Sequence, residues 1–184
     1  FYTEPTSWAT AIFAANAAKA SKIFQAFPAY AAYATSLLRQ ATNAWAFLRS
    51  TPALWPADGN DGNCALWAPG CDNDAPGDKR LRIWAAAELF RLTGQTQYHA
   101  YFTNNYDDYV NTRQGGFHPL EGNRFDPSLC LELNQAYITY AYTPGARADI
   151  VTRIKNAIQG QCQNTMTYTN LDPYRGYMYD GHYC

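Results

Sequence analysis

Charge is scarce in this sequence. Only 16 % of its 184 residues are charged and the formal net charge is −1, so the chain has no general attraction for nucleic acid or for an anionic membrane surface. Long apolar runs are missing too. The richest stretch, 13–18, is interrupted by Asn16 and followed by Lys19, well short of the about 20 residues that a bilayer span takes. No CxxC or HxxxH spacing occurs, which removes the usual support for a zinc site. The three histidines, His99, His118 and His182, have no Ser or Cys company that would suggest a nucleophilic triad. Neither an initiator Met nor a signal peptide is seen, and the opening FYTEPTSW reads as chain already inside a fold, a processed or truncated piece.

Aromatic residues, by contrast, make up 16 % of the chain, with 15 Tyr and 5 Trp. Such a chain either packs its rings into a core or offers them to a ligand. Sugars are the ligands that most often want ring faces, and composition alone leaves the two readings even. Five cysteines stand at 64, 71, 130, 162 and 184. Cys64 and Cys71 bracket the turn CALWAPGC and could close a small disulfide loop, which suggests an oxidising, secreted setting. Five is odd, so one thiol is free or pairs elsewhere.

Helical periodicity dominates. Residues 6–27 are Ala-rich, with Ile12, Ala15, Lys19, Ile23 and Phe27 at helical spacing. Pro28 ends that helix and opens the next, where Tyr30, Ala34, Leu37, Leu38, Ala41, Trp45 and Leu48 form an apolar stripe. Residues 50–78 are a loop dense in Gly, Pro, Asn and Asp. In RIWAAAELFRLTGQTQYHAYF, Asp78 is expected to cap a helix, with Trp84, Ala87, Leu89 and Leu92 inward. Gly94 is its C′ residue and Thr96 caps the partner helix. A second loop, 112–127, precedes LCLELNQAYITYAY, the turn TPGA and a helix with Ile150, Ile154 and Ile158 on one face. The residues from Asn164 on read as an irregular Tyr-rich tail. The expectation is therefore an all-α chain of three helical hairpins, 6–48, 79–110 and 128–163, with negligible strand. Stacked hairpins cannot bury both flanks alone, so three of them look like half of a closed ring, with a cleft at the end that carries the long loops.

W-A-A-A-E-L-F-R-L-T-G followed by Tyr resembles the W-A-A-A-E-L-Y-x-x-T-G run of the family-nine glycoside hydrolases, the inverting cellulases. EPTSWATAIFAANAAKASKIF is similar to the family's preceding hairpin, P-S-T-x-A-T-x-x-F-A-A-x-x-A-x-A-x-x-F. The tail DPYRGYMYDGHYC stands where the family has a Tyr-rich loop leading to W-G-S-N, and the chain stops before that motif. The resemblance implies the middle portion of an (α/α)6 barrel about twice as long. It also implies cleavage of β-1,4-glucan with inversion, by a base and an acid carboxylate roughly 6.5–9.5 Å apart. The family's D-A-G-D motif with the base, and its acid Glu, do not occur here; Asp107 and Asp108 are the nearest pair, at the end of the second hairpin. Partners implied are a β-glucan and the remainder of the same catalytic domain, with no organic cofactor. The alternative is a non-catalytic carbohydrate-binding or structural helical-repeat protein.

Tyr179, Tyr183 and His182 in the tail, and Trp55 and Trp67 in the first loop, are candidates to grip a glucosyl unit, against rings that merely cover a barrel end. Asp72, Asp74 and Asp78 are oxygen ligands dense enough for calcium, against a polar loop of caps and Asx-turns. Some family members hold calcium before the WAAAEL helix partly through an acidic pair; here the matching residues read K-R-L-R, base for acid. Glu88 is expected to pair with Arg91 at i+3, His99 to lie on a helix surface, and Trp8, Trp45 and Trp84 to belong to the core.

Overall fold

The computed structural model describes residues 6–55, 75–108, 119–120, 131–171, 178–179 and 182–183. Among the described residues six α-helices form three consecutive pairs: α1 (Ser7–Phe24) with α2 (Ala31–Ser50), α3 (Ala75–Thr93) with α4 (Thr96–Asn105), and α5 (Leu131–Ala141) with α6 (Ala148–Leu171). Helix α1 packs on α2 and on α3, α3 packs on α5, and α4 and α6 pack on α3 and α5 respectively. The first helix of each pair thus stands beside the first helix of the next, with the second helices backing them. That order of neighbours makes an arc of an (α/α) barrel.

Local chemistry explains the helix ends. The Thr6 hydroxyl accepts the Ala9 amide at 3.0 Å and caps α1. Pro28 sits at the start of a short 3-10 turn, Pro28–Tyr30, that leads into α2. Gly94 has φ +67° and donates its amide to Phe90 O at 2.7 Å, which closes α3 in the left-handed conformation glycine tolerates. Gly145, at φ +83°, serves the turn between α5 and α6.

Several sequence expectations are corrected. Asp78 does not cap α3: the helix begins at Ala75 and Asp78 lies in its first turn. The residue preceding α4 is Gln95, without a side-chain cap bond, and Thr96 is already helical. The last helix runs to Leu171 rather than ending near 163, and the tail holds a small antiparallel ribbon, β1 (Met178–Tyr179) on β2 (His182–Tyr183), pairing Met178 with Tyr183 and Tyr179 with His182. On α1 the buried residues are Ser7, Ala11, Ala14, Ala15, Ala17, Ala18 and Ser21, while Ile23 and Phe27 are 53 % exposed. The small side chains of α1 let it approach both α2 and α3 closely. Ser21 even donates its hydroxyl to the Ala34 carbonyl of α2 at 2.8 Å.

The α2 stripe packs as expected at Ala34, Leu37, Ala41, Trp45 and Leu48, although Tyr30 is exposed. Helix α3 is the centre of the arc, with Leu81, Ile83, Ala85, Ala86, Ala87, Leu89 and Phe90 all buried. An aromatic column then ties α3, α4 and α5 together. Phe90 stacks on His99 with centroids 4.6 Å apart, and Phe102 stacks on Tyr140 at 3.9 Å. His99 is therefore not a surface residue: it is half-buried, and its Nε2 lies 2.8 Å from the Tyr140 hydroxyl.

One cation joins the first hairpin to the second. Arg82, 4 % exposed, donates Nε to Asp78 Oδ2 at 2.6 Å, Nη1 to the Leu48 carbonyl at 2.6 Å, and Nη2 to the carbonyls of Thr51 and Ala53 at 2.8 and 3.2 Å. The carbonyls at the end of α2 have no partner within their helix, and a guanidinium fork supplies one while its charge suits the negative end of the helix dipole. Replacing Arg82 with Met strands the buried Asp78 carboxylate and three carbonyls. We expect a loss of about 3–5 kcal/mol, measured by urea unfolding of the intact protein. Asp78→Asn leaves the three carbonyl bonds in place and should cost clearly less.

Burial also raises the phenols of Tyr98, Tyr101 and Tyr140, that of Tyr101 to about 12. The folded pKa of Tyr101 exceeds the unfolded 10.0, so its contribution to stability is intact below pH 10 and is lost as pH climbs to about 12. Unfolding free energy should fall across pH 10–12, and Tyr101→Phe should flatten part of that slope.

Candidate functional site

A groove of about 240 Å3 crosses α1, α3 and α5. Leu81 and the half-buried Trp84 come from α3, Ile12, Asn16 and Lys19 from α1, and Glu132 and Gln135 from α5. Lys19 Nζ donates to Gln135 Oε1 at 3.0 Å and bridges α1 to α5. Glu132 Oε2 stands 3.9 Å from Nε of the buried Arg80. The groove thus offers one indole on an apolar base and a rim of amide, ammonium and carboxylate groups, the mixture of one ring and several hydrogen-bonding groups that small polar ligands use.

Behind Trp84 lies a buried acid. Glu88 is fully buried; its Oε1 accepts from the Thr139 hydroxyl at 2.8 Å and from Trp84 Nε1 at 3.3 Å. Arg91 Nη2 lies 2.7 Å from Oε2, the i, i+3 pairing that the sequence suggests. A carboxylate with one oxygen on two donors and the other on a guanidinium is a clasp between α3 and α5. The remaining ion pairs follow the same pattern. Asp78 is held by Arg82, Asp107 by Arg153 and Asp149 by Arg147. Arg147 holds the Asp149 carboxyl below its ordinary range, chiefly through their hydrogen bond.

The residues singled out in the sequence divide between these elements and the undescribed loops. Trp55 follows α2; its backbone clasps Ser7, with Ser7 N donating to Trp55 O at 2.8 Å and Trp55 N donating to Ser7 Oγ at 2.9 Å. This leaves its side chain 48 % exposed, at the start of α1 and away from the groove residues in sequence. Tyr179, His182 and Tyr183 belong to the terminal ribbon, where the backbone alone is described. Trp67, Asp72 and Asp74 lie outside the described residues, as do Cys64, Cys71 and His118. Asp78 does not fit a calcium ligand, because its Oδ2 carries Arg82 and its neighbours in the helix are Lys79 and Arg80. Among the described residues no group of three or more His, Cys, Asp or Glu could hold a metal ion, and no helix is long and apolar enough to cross a membrane. Cys162 is a free, exposed thiol on α6.

The groove residues Asn16, Lys19, Trp84 and Gln135 were not marked out by sequence. The signal that could have found them is the polar pair Asn16 and Lys19, three apart, which breaks an otherwise Ala-rich helix.

With the hairpin order and the groove in hand, the chain can be set beside known proteins. It superposes on the crystal structure of the family 9 endoglucanase J30 with a TM-score of 0.67 and 22 % identity, covering 95 % of this chain and 29 % of that one. A metagenome-derived family 9 endoglucanase matches with a TM-score of 0.60 and 27 % identity over 92 % of this chain and 28 % of that one. The chain therefore spans less than a third of these structures, where the motif order alone implied about half. None of the curated proteins compared with it matches. The family model for glycosyl hydrolase family 9 matches residues 1–180. Paired helices, first beside first, carrying WAAAELF on the central one, are thus explained by descent as well as by packing: the chain belongs to glycosyl hydrolase family 9.

Proposed function

We propose that the protein to which this chain contributes is a secreted hydrolase of β-1,4-glucan that acts with inversion, and that this chain supplies an arc of its barrel and part of the wall of its sugar cleft. The observation that carries the reading is the family match over nearly the whole chain. Support also comes from the arc itself. Phe13 and Ile23 on α1 and Ile138 on α5 are 46 %, 53 % and 40 % exposed, apolar surface of the kind that further hairpins of a ring would cover. Inverting hydrolysis needs one carboxylate to activate water and another to protonate the leaving oxygen. The family's base and acid motifs do not occur in this sequence, so the reading assigns both catalytic roles to residues outside this chain; Asp78, Glu88, Asp107 and Asp149 are each paired with an arginine. Trp55, Trp67, Tyr179, His182 and Tyr183 are proposed to grip the glucan. Asp72 and Asp74 keep the calcium proposal without Asp78.

The intact protein, offered cellulose derivatives, xylan and chitosan, should release reducing ends fastest from the β-1,4-glucan, and proton NMR of the first products should show the α-anomer. Absence of release from any of them, or a β-anomer appearing first, overturns the reading; the first result would favour a non-catalytic scaffold. Within the same assay Glu88→Gln should keep kcat within a few-fold, since its amide oxygen can still accept from both Thr139 and Trp84. A loss of about 10³-fold or more would make Glu88 a participant in the chemistry.

A further inference from the structure

The face that carries α2 and α4 holds a second, unrelated groove. Two recesses, of about 310 and 280 Å3, lie on either side of Trp45 and share Trp45, Arg49 and Gln97. Their volumes sit near the lower end of the about 300–1,000 Å3 typical of small-ligand sites. None of their lining residues belongs to the groove across α1, α3 and α5.

The base of this groove is aromatic. Trp45 meets Tyr98 and Tyr101 edge-on, with centroids 5.5 and 5.0 Å apart. Its indole Nε1–H is buried and has no acceptor among the described residues, although Trp45 is only 3 % exposed and a buried donor without a partner costs stability. Across the top runs a chain of planar polar groups. Gln97 Nε2 donates to Gln95 Oε1 at 2.8 Å, and Arg49 Nη1 donates to Gln97 Oε1 at 3.0 Å. Asn104 adds another side-chain amide. Neither recess is lined by a carboxylate or a lysine among the described residues. That excludes a cation as the natural occupant, and a single guanidinium already shared with Gln97 is little for a multiply charged anion. Planar amides each offer a donor and an acceptor and a guanidinium offers paired donors, a set that suits vicinal hydroxyls, while the half-buried ring of Tyr101 suits the C–H face of a sugar.

We propose that this groove between α2 and α4 binds a short stretch of neutral glycan, as an anchoring site separate from the place of cleavage. The idea rests on the proposed role in glycan processing, and the experiment separates the two. Arg49, Gln97 and Asn104 are exposed, so the triple variant Arg49→Ala, Gln97→Ala, Asn104→Ala should fold as the parent does, checked by circular dichroism and melting temperature. Affinity electrophoresis of the intact protein through gels containing hydroxyethyl cellulose, mixed-linkage β-glucan or xylan should show retardation by at least one of them. The triple variant should lose at least tenfold in affinity for that polymer, with its rate on a short soluble oligosaccharide unchanged. Trp45→Phe, which keeps a ring and deletes the indole N–H, should lower affinity less than the triple variant.

If the protein is retarded and the triple variant is not, yet no glycan is hydrolysed, the groove stands and the hydrolase reading falls. If the triple variant is retarded as strongly as the parent, or the parent is retarded by no glycan, the groove proposal is overturned whatever the hydrolytic activity. Retention of an extended peptide rather than a glycan in the same groove overturns it as well.

Discussion

The arc depends on how closely α1 can approach two neighbours at once. Its buried face is made of Ala11, Ala14, Ala15, Ala17 and Ala18, with Ser7 and Ser21 at the ends. Alanines remove little apolar area each, so they stabilise mainly by permitting contact between backbones. The Ser21 hydroxyl reaching the Ala34 carbonyl of α2 shows how near that approach is. A large residue in this seam would push α1 from α2, from α3, or from both, because a packed interior absorbs added volume poorly. Once α1 is seated, α3 takes its place beside it, and the Arg82 fork fastens the end of α2 to the start of α3. The ring geometry thus begins as a packing constraint on one helix and is passed on by one cation.

From α3 outward the bonding changes in kind. Between α3, α4 and α5 the contacts are ring on ring, Phe90 on His99 and Phe102 on Tyr140, with polar bonds among them. The Tyr140 hydroxyl meets His99 and accepts the Arg147 amide at 3.0 Å, and Glu88 answers Thr139 and Arg91. Large rings leave space at their margins that alanines do not. The two grooves lie beside such residues, one at Trp84 and one at Trp45. Smooth seams where side chains are small, and recesses where they are large, follow from the same rule of close packing.

That rule also explains what could be read from the sequence. Hairpins, turn glycines and the α2 stripe were legible because backbone requirements act locally: Gly94 and Gly145 do adopt positive φ. The buried side of α1 is not legible from apolar periodicity, which weights large residues, Ile23 and Phe27 among them, whereas α1 hides its smallest. Asp78 was read as a cap although Arg82 stands four residues on, the spacing at which helical side chains meet. The place of His99 was not legible at all, since Phe90 precedes the hairpin turn and Tyr140 lies 41 residues away. The cleft candidates depend on loop tertiary structure, which no local pattern encodes.

The carboxylates carry the last step. A protein with few charges that buries an acid must give it a partner, and the buried acids described here do have one: Glu88 has Arg91 and Asp78 has Arg82. Each arginine joins its acid from the same helix, at i+3 or i+4, and the pair then reaches to a second element, Thr139 of α5 or the carbonyls after α2. Pairing within one helix gives each of these two acids its countercharge locally. Acid chemistry on a sugar requires the reverse, a carboxyl kept apart from cations and open to substrate. Scaffold and catalysis therefore make opposing demands on the same kind of side chain, and the central helix of this arc has met the demand of the scaffold.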